Sequence, residues 1–331
     1  MDLSDKKIVL ICPKFYGYEE LIVEELRRRG AIVYLIYENL EWVKVSYRLV
    51  YVYLPQYKTK LVKNYYKKEL QGILHDLDFF VAIRGSSLRA DIMKWIISSV
   101  PSYCKFIMYQ WDGVRNNEVA LEISPYFDRV LTFDKTDALK RNWIYRPLFF
   151  VPQYVNHNIE KDIDVLFICA LHSKRAHVLN QLKKVAEDTG YNLKAVVNMN
   201  KVLYYKYKYI NKKDEVIEAD NKDLTFKPLS IQESYNLYSR SKAVVDYTNT
   251  NQTGYTMRTI ESFGNSCKLV TNNALIVESD FYIPDNIHIY DEERLDIPND
   301  FIEMPLKKVQ AAIFERYTLK RWVDDIIGID G

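Results

Sequence analysis

A chain of 331 residues, 48% hydrophobic and 27% charged, is long for one domain, has material for two cores and shows no disorder signature. Its 46 basic and 44 acidic side chains leave a net charge of +2, so no overall field recruits nucleic acid or a membrane. Cys12, Cys104, Cys169 and Cys267 stand far apart beside apolar runs, with no spacing that suggests zinc. No apolar run approaches the ~20 residues of a membrane span, and the first residues lead directly into a strand, with no room for a signal peptide. A reduced, cytoplasmic protein is expected. The 27 tyrosines lend mild support to a sugar ligand.

In chain order, Ile8–Cys12 is a continuous apolar run, as in a strand buried on both faces. The loop Pro13–Gly17, an amphipathic helix from Glu19 to Arg29 stopped by Gly30, and a strand Ala31–Ile36 complete a β-loop-α-β opening. A helix over Lys58–Leu74, a strand Phe79–Ile83, a helix Leu88–Ser98 and strands Phe106–Tyr109 and Arg129–Phe133 continue it. Periodicity lapses around Pro147–Ile159, where a linker is expected.

The alternation then restarts with strand Val165–Cys169, helix Arg175–Asp188 and strand Leu193–Val197. Lys201–Asp223, rich in Tyr and Lys, reads as a helix or an excursion. After strand Leu224–Phe226, Ser230 and Glu233 form a capping box for helix Ile231–Ser239. Strands Ala243–Asp246, Lys268–Val270 and Ile287–Ile289 follow, with helix Thr256–Phe263 between the first two and an amphipathic helix Lys307–Ile327 at the end. The expected fold is α/β, with two Rossmann-like domains, residues 1–150 and 160–306, and a C-terminal helix over 307–331 that packs back on the first domain. Many enzyme classes share such a design.

The chemistry concentrates between residues 242 and 273: a strand, a polar loop carrying Gly254, a helix beginning near Thr256, and another strand. A helix start after a strand presents N–H groups and a positive dipole end to an anion. Arg258, in the first turn, opposes that dipole unless an anion such as a diphosphate lies in front of it. Glu261 follows one turn later on the same face, placed to accept hydrogen bonds from ribose hydroxyls. An ordinary helix with a surface Arg–Glu pair is the plainer alternative.

This segment resembles the donor-binding strand-loop-helix of GT-B glycosyltransferases, in which a Glu on the helix holds the nucleotide ribose. Glu261-Ser-Phe-Gly-Asn-Ser-Cys-Lys-Leu-Val270 fits that frame, while Thr253 stands where an acidic residue commonly opens the motif. Gln252-Thr-Gly-Tyr-Thr-Met-Arg-Thr-Ile-Glu261, with Trp111-Asp112 and Tyr126–Asp134, is similar to a branch of polysaccharide-biosynthesis transferases related to the spore-maturation glycosyltransferase-like family. The resemblance spans about residues 76–327. It implies two domains facing across a cleft and a nucleotide-sugar donor held by Thr248, Gln252, Thr253, Gly254, Tyr255, Thr256, Arg258 and Glu261. It also implies a glycan or lipid-linked acceptor, with work at the inner face of the membrane, while the near-cancelling charge argues for no nucleic-acid partner.

Two further groups of residues suit the same chemistry. His172, Ser173, Lys174 and Arg175 open a helix after a strand, a diphosphate cradle without the GxGxxG glycines, or simply a solvated basic helix start. Trp111-Asp112-Gly113-Val114-Arg115 lies beyond the end of a strand, where open α/β sheets bind ligands. Asp112 suits a general base for the acceptor hydroxyl, Trp111 a sugar platform, and Arg115 and Arg84 the cleft lining. Alternatively Asp112 merely starts a turn, and the Ser residues after Arg84 cap a helix. Among the histidines only His172 has a functional setting, and no DxD-like motif stands out to hold a divalent ion. No cofactor and no metal are therefore expected. A sugar-nucleotide epimerase of the same architecture and a non-catalytic ligand-binding protein are the competing readings; nucleotide binding, and turnover without an acceptor, would separate them.

Overall fold

The computed structural model describes residues 2–38, 55–156, 158–211, 223–249, 252–298 and 300–328. The chain divides into two compact units, Met1–Pro147 with Trp322–Gly331, and Leu148–Arg321.

The first unit holds strands β1 (Lys7–Cys12), β2 (Ile32–Tyr37), β3 (Phe79–Ile83), β4 (Lys105–Gln110), β5 (Arg129–Thr132) and β6 (Ile144–Tyr145). They form one parallel sheet in the order β2-β1-β3-β4-β5-β6. Helices α1 (Tyr18–Arg28), α2 (Pro55–Glu69), α3 (Ala90–Ile97), α4 (Val119–Ile123) and α5 (Lys135–Arg141) connect them. Every residue of β3 is buried, which is why it reads as an unbroken apolar run and not as an alternation. The predicted helix over Lys58–Leu74 stops at Glu69, because Gly72 takes φ +77° and the chain re-enters through a short turn at Leu74–Asp76.

In the second unit β7 (Ile163–Ala170), β8 (Leu193–Asn198), β9 (Leu224–Thr225), β10 (Ser241–Asp246), β11 (Lys268–Thr271) and β12 (Ile287–Ile289) form a parallel sheet in the order β12-β11-β10-β7-β8-β9. Among the described residues its helices are α6 (Arg175–Thr189), α7 (Lys201–Tyr205), α8 (Ile231–Ser239), α9 (Met257–Gly264), α10 (Ala311–Arg316) and the start of α11 (Leu319–Ile327). The capping box of α8 is present in both directions: Glu233 N–H donates to Ser230 Oγ, and Ser230 N–H to Glu233 Oε2 at 2.8 Å.

Two expectations fail here for physical reasons. The stretch read as a linker begins with Leu148–Val151, which is core: Phe149, Phe150 and Val151 are fully buried. Phe150 N–H donates to Tyr317 O, Leu319 N–H donates to Phe150 O, and Val151 N–H donates to the Tyr235 hydroxyl. A Cβ on Gly264 would stand 2.3 Å from Phe150 Cγ, so α9 must end in glycine to let this strap pass. A buried extended strap has neither helical nor strand-like periodicity, which is what the sequence showed. The single closing helix is likewise two helices, broken at Tyr317–Thr318 where the backbone bonds to Phe150 instead, and Lys307–Gln310 is not helical. From Trp322 onward α11 belongs to the first unit, where Trp322 lies edge-on to Tyr109, ring centroids 4.8 Å apart. His157 and residues 212–222 lie outside the described residues.

Candidate functional site

Each sheet has one place where the strand order reverses, and open α/β sheets bind ligands at the carboxyl ends there. In the second unit that place lies between β7 and β10. From β7 the chain proceeds to β8 and β9 on one side, then returns to lay β10, β11 and β12 on the other.

The loops that leave these two strands carry the residues singled out from sequence, and the structure brings His172, Arg175 and Arg258 together. Arg175 Nη1 donates to Ala170 O at the end of β7 and bonds to His172 Nε2, while His172 Nδ1 meets Ser173 Oγ at 3.0 Å. Burial and the charge of Arg258 push the Arg175 guanidinium down to about 10. His172 is exposed as a residue, but desolvation of its ring by the surrounding loop, and then the two arginines, push that ring down to about 4. Arg175 Nε is buried without a hydrogen-bond acceptor among the described residues. Three basic groups converge here, and a carboxylate clamps one of them.

That carboxylate, Asp246, is the residue that sequence reasoning missed. It is the last residue of β10 and fully buried. It accepts Arg258 Nε at 2.8 Å, Thr248 Oγ1 at 3.0 Å and Thr259 Oγ1 at 3.1 Å. Arg258 is therefore a buried, clamped cation with its side chain 16% exposed, and not half of a surface Arg–Glu pair. Burial works against its charge, but Asp246 outweighs burial and holds the guanidinium above its ordinary value. An Asp closing the apolar run Ala243-Val-Val-Asp246 at a strand's carboxyl end was the available signal.

The other predicted contacts divide. Thr248 N–H donates to Asn272 Oδ1 and Asn272 Nδ2 donates back to Thr248 O, at 2.8 and 2.9 Å, so Thr248 fixes the loop as well as Asp246. Thr256 is the N-cap of α9, its Oγ1 accepting Thr259 N–H at 3.2 Å. Tyr255 is 4% exposed and packs edge-on to Phe281, so its ring serves the core. Gln252 and Thr253 are half-buried and Gly254 is buried, while Thr250 and Asn251 lie outside the described residues. Lys174 points away to Glu292, 2.7 Å distant, and Glu293, and so leaves the cradle to Arg175 and Arg258. Ser173 holds φ +57°, the left-handed backbone that a phosphate-loop glycine would supply. This explains how the loop turns without GxGxxG. Glu261 is 4% exposed and shares a hydrogen bond with the Tyr238 hydroxyl, whose ionisation burial and the Glu261 charge both oppose.

In the first unit the reversal lies between β1 and β3. Arg84, just past β3, has φ +70° although it is not glycine, and Gly85 follows at +68°. Such backbone costs ~1–3 kcal/mol and persists only where its surroundings enforce it. Here two buried amides enforce it: Gln110 Nε2 and Asn117 Nδ2 both donate to Arg84 O at 2.8 Å. The guanidinium then sits between two carboxylates, Asp112 at 2.9 Å and the buried Glu38 at 3.8 Å. Glu38 also accepts Ser86 N–H and Oγ, yet burial prevails and raises its carboxyl above the usual value.

These facts correct three sequence readings. Asp112 does not serve the turn after it, since Val114 N–H takes its acceptor from Asp137 at 2.8 Å. The serines after Arg84 do not cap α3: Ser86 binds Glu38, Ser87 meets the Tyr66 hydroxyl, and Ala90 N–H goes to Glu122. Trp111 is 8% exposed within a cluster of Phe15, Tyr18, Tyr109 and Trp322 rings, so its faces are packed by protein and not offered to a sugar. Arg115 is exposed.

No protein-family model matches the sequence, and no curated protein matches it significantly. Solved structures do resemble it over nearly its whole length. AviGT4, a glycosyltransferase involved in avilamycin A biosynthesis, shares 12% identity at TM-score 0.55, covering 98% of this chain and 96% of that one. HepE of Anabaena, solved with UDP-glucose, shares 10% at 0.59, covering 97% and 98%. A glycosyltransferase of Rickettsia africae shares 13% at 0.54, covering 98% and 97%. The architecture of this chain is thus the two-unit α/β fold known as GT-B in glycosyltransferases.

Proposed function

We propose that this protein is a glycosyltransferase that moves a sugar from a nucleotide-sugar donor to a glycan or lipid-linked acceptor in surface-polysaccharide synthesis. The observation that carries the reading is the convergence of His172, Arg175 and Arg258, with Asp246 clamping Arg258, at the strand-order reversal of the second sheet. Such an excess of positive charge suits a diphosphate, and HepE, of like fold, was solved with UDP-glucose. Glu261 is assigned to the ribose hydroxyls. As the acceptor oxygen bonds to the anomeric carbon, the bond from that carbon to the diphosphate breaks. The acceptor's proton passes to Asp112, and the charge on the departing diphosphate is met by Arg175, Arg258 and the starts of α6 and α9. With that charge supplied by protein groups, the reaction needs no metal.

Replacing Arg175 by Ala tests the reading by calorimetry. Removing a charge-assisted partner costs ~1.5–3 kcal/mol, so affinity for nucleoside diphosphates should fall by roughly 10- to 100-fold while nucleoside affinity stays put. Equal losses for both ligands would count against the assignment.

The same cluster predicts a pH dependence. The ring of His172, held at about 4, regains basicity when a diphosphate lies beside it, moving toward its ordinary 6.5. The bound state then holds the proton more readily than the free state, so affinity rises as pH falls from 8 to 5. A full return would tighten binding by roughly thirtyfold at pH 5, and solvent screening of this exposed ring reduces that to about three- to tenfold. A nucleotide sugar is the right ligand, because its diester phosphates do not titrate there. His172→Ala should flatten the profile; a flat profile in the unaltered protein would refute the contact.

A further inference from the structure

From the carboxyl end of β8 the chain enters α7, capped by Asn200 Oδ1, and continues through a π-helical turn at Lys206–Ile210. Tyr204, 3% exposed, anchors this short rod in the core of the second unit. Its neighbours point the other way. Val202 and Ile210 are each 76% exposed, Tyr209 66%, Tyr205 48% and Leu203 42%. Tyr205 and Tyr209 stack on each other at 6.2 Å with an interplanar angle of 12°. Nothing in folding alone rewards holding five large apolar side chains in water within nine positions.

Residues 201–211 carry Lys201, Lys206 and Lys208 and no acid. Lys208 Nζ binds the Tyr204 hydroxyl at 2.7 Å and lies over the Tyr204 and Tyr209 rings at 5.2 and 5.9 Å, so its charge is fixed to the aromatic face. Lys201 and Lys206 are exposed. Exposed aliphatic and tyrosyl groups interleaved with lysines are the composition that settles at the boundary of an anionic bilayer, where rings sit among headgroups and ammonium groups meet lipid phosphate. A protein partner's groove would equally accept apolar groups. Lys201, Lys206, Lys208, Lys212 and Lys213 all precede the first acid, Asp214, and this local excess of cations is what favours the anionic lipid surface.

We infer that Lys201–Ile210 is a membrane-surface contact by which the second unit rests on anionic lipid. The rod leaves the same end of the sheet as the candidate donor site: Leu171 N–H, in the loop that carries His172 and Arg175, donates to Asn198 O, two residues before the Asn200 cap. An enzyme so placed holds its donor loops close to the lipid surface, where a lipid-linked acceptor resides. The surface itself does not depend on the donor reading.

The test is flotation of the full chain with phosphatidylcholine vesicles, with and without phosphatidylglycerol, alongside a Val202→Asp/Ile210→Asp variant. Both positions are exposed, so the variant should keep its far-UV spectrum and its Tm. The unaltered protein should float with the phosphatidylglycerol vesicles, less so at high salt, and the variant should lose about tenfold or more in partition. Protein left wholly in the soluble fraction at low salt, or a variant that floats as well as its parent, would overturn the inference. So would a concentration-dependent dimer in sedimentation that the Val202→Asp/Ile210→Asp variant no longer forms, since a second copy would then own this surface. Nucleotide calorimetry on the same variant should be unchanged, which separates failure here from failure of the donor site.

Discussion

Asp112→Asn should fold normally, keep its nucleotide affinity and lose sugar transfer by a factor of ~10²–10⁴, the usual contribution of a general base. The structure permits this clean separation. Asp112 is 34% exposed at its side chain and its partner Arg84 31%, so the ion pair is half-solvated and its loss costs at most about 1 kcal/mol of stability. The turn after Asp112 is held by Asp137 and not by Asp112. The candidate donor cluster of His172, Arg175 and Arg258 lies in the other unit. Initial rates of transfer, measured with donor and acceptor in excess, check the prediction. Transfer near the parental rate would remove Asp112 from the chemistry, and Glu38, whose raised carboxyl faces the same arginine, would become the next candidate.

Arg258→Ala should do two things at once. Nucleoside diphosphate binding should be lost, and the protein should also be destabilised by ~3–5 kcal/mol, because Asp246 would keep its buried charge without the cation that offsets it. In a unit of this size that is a Tm loss on the order of 10 °C. A loss of binding in this variant alone would therefore say little. The double variant Asp246→Asn/Arg258→Met resolves the two effects. It removes both charges, keeps an acceptor for the Thr248 and Thr259 hydroxyls, and should recover most of the stability, since paired removal of a buried ion pair is often nearly neutral. It should not recover binding. Were the double variant to bind nucleoside diphosphates as tightly as the parent, Arg258 would be a structural cation only.

The fold was legible wherever burial imposes a simple pattern. Strands covered on both faces, such as β1 and β3, announce themselves as unbroken apolar runs, and the Ser230–Glu233 cap marks its helix start with two side chains alone. Leu148–Val151 was illegible because a buried extended strap carries no period, and its role depends on Gly264, more than a hundred residues away. The break in the closing helix escaped notice for a related reason: Tyr317 and Leu319 give their backbone groups to Phe150, a choice made by tertiary contact and not by propensity. In the candidate site the polar residues past the strand ends were recognisable, but what each side chain touches there was not. Lys174 and Arg175 are adjacent cations, yet one pairs with Glu292 and the other turns inward. Trp111 looks like a platform until four other rings close over it.

The membership of Trp322 in the first unit's core has a practical consequence for anyone dissecting the protein. The polypeptide enters the first unit at its amino terminus, leaves after Pro147, and returns at Trp322 to finish it. No cut at one position yields that unit complete. A fragment ending at Pro147 lacks the indole that covers Tyr109 and Trp111 and would expose both rings. Arg146 and Arg29 would also lose their carboxylate partners Asp325 and Asp324. An isolated first unit would have to carry residues 322–328 spliced to it, as in a circularly rearranged chain.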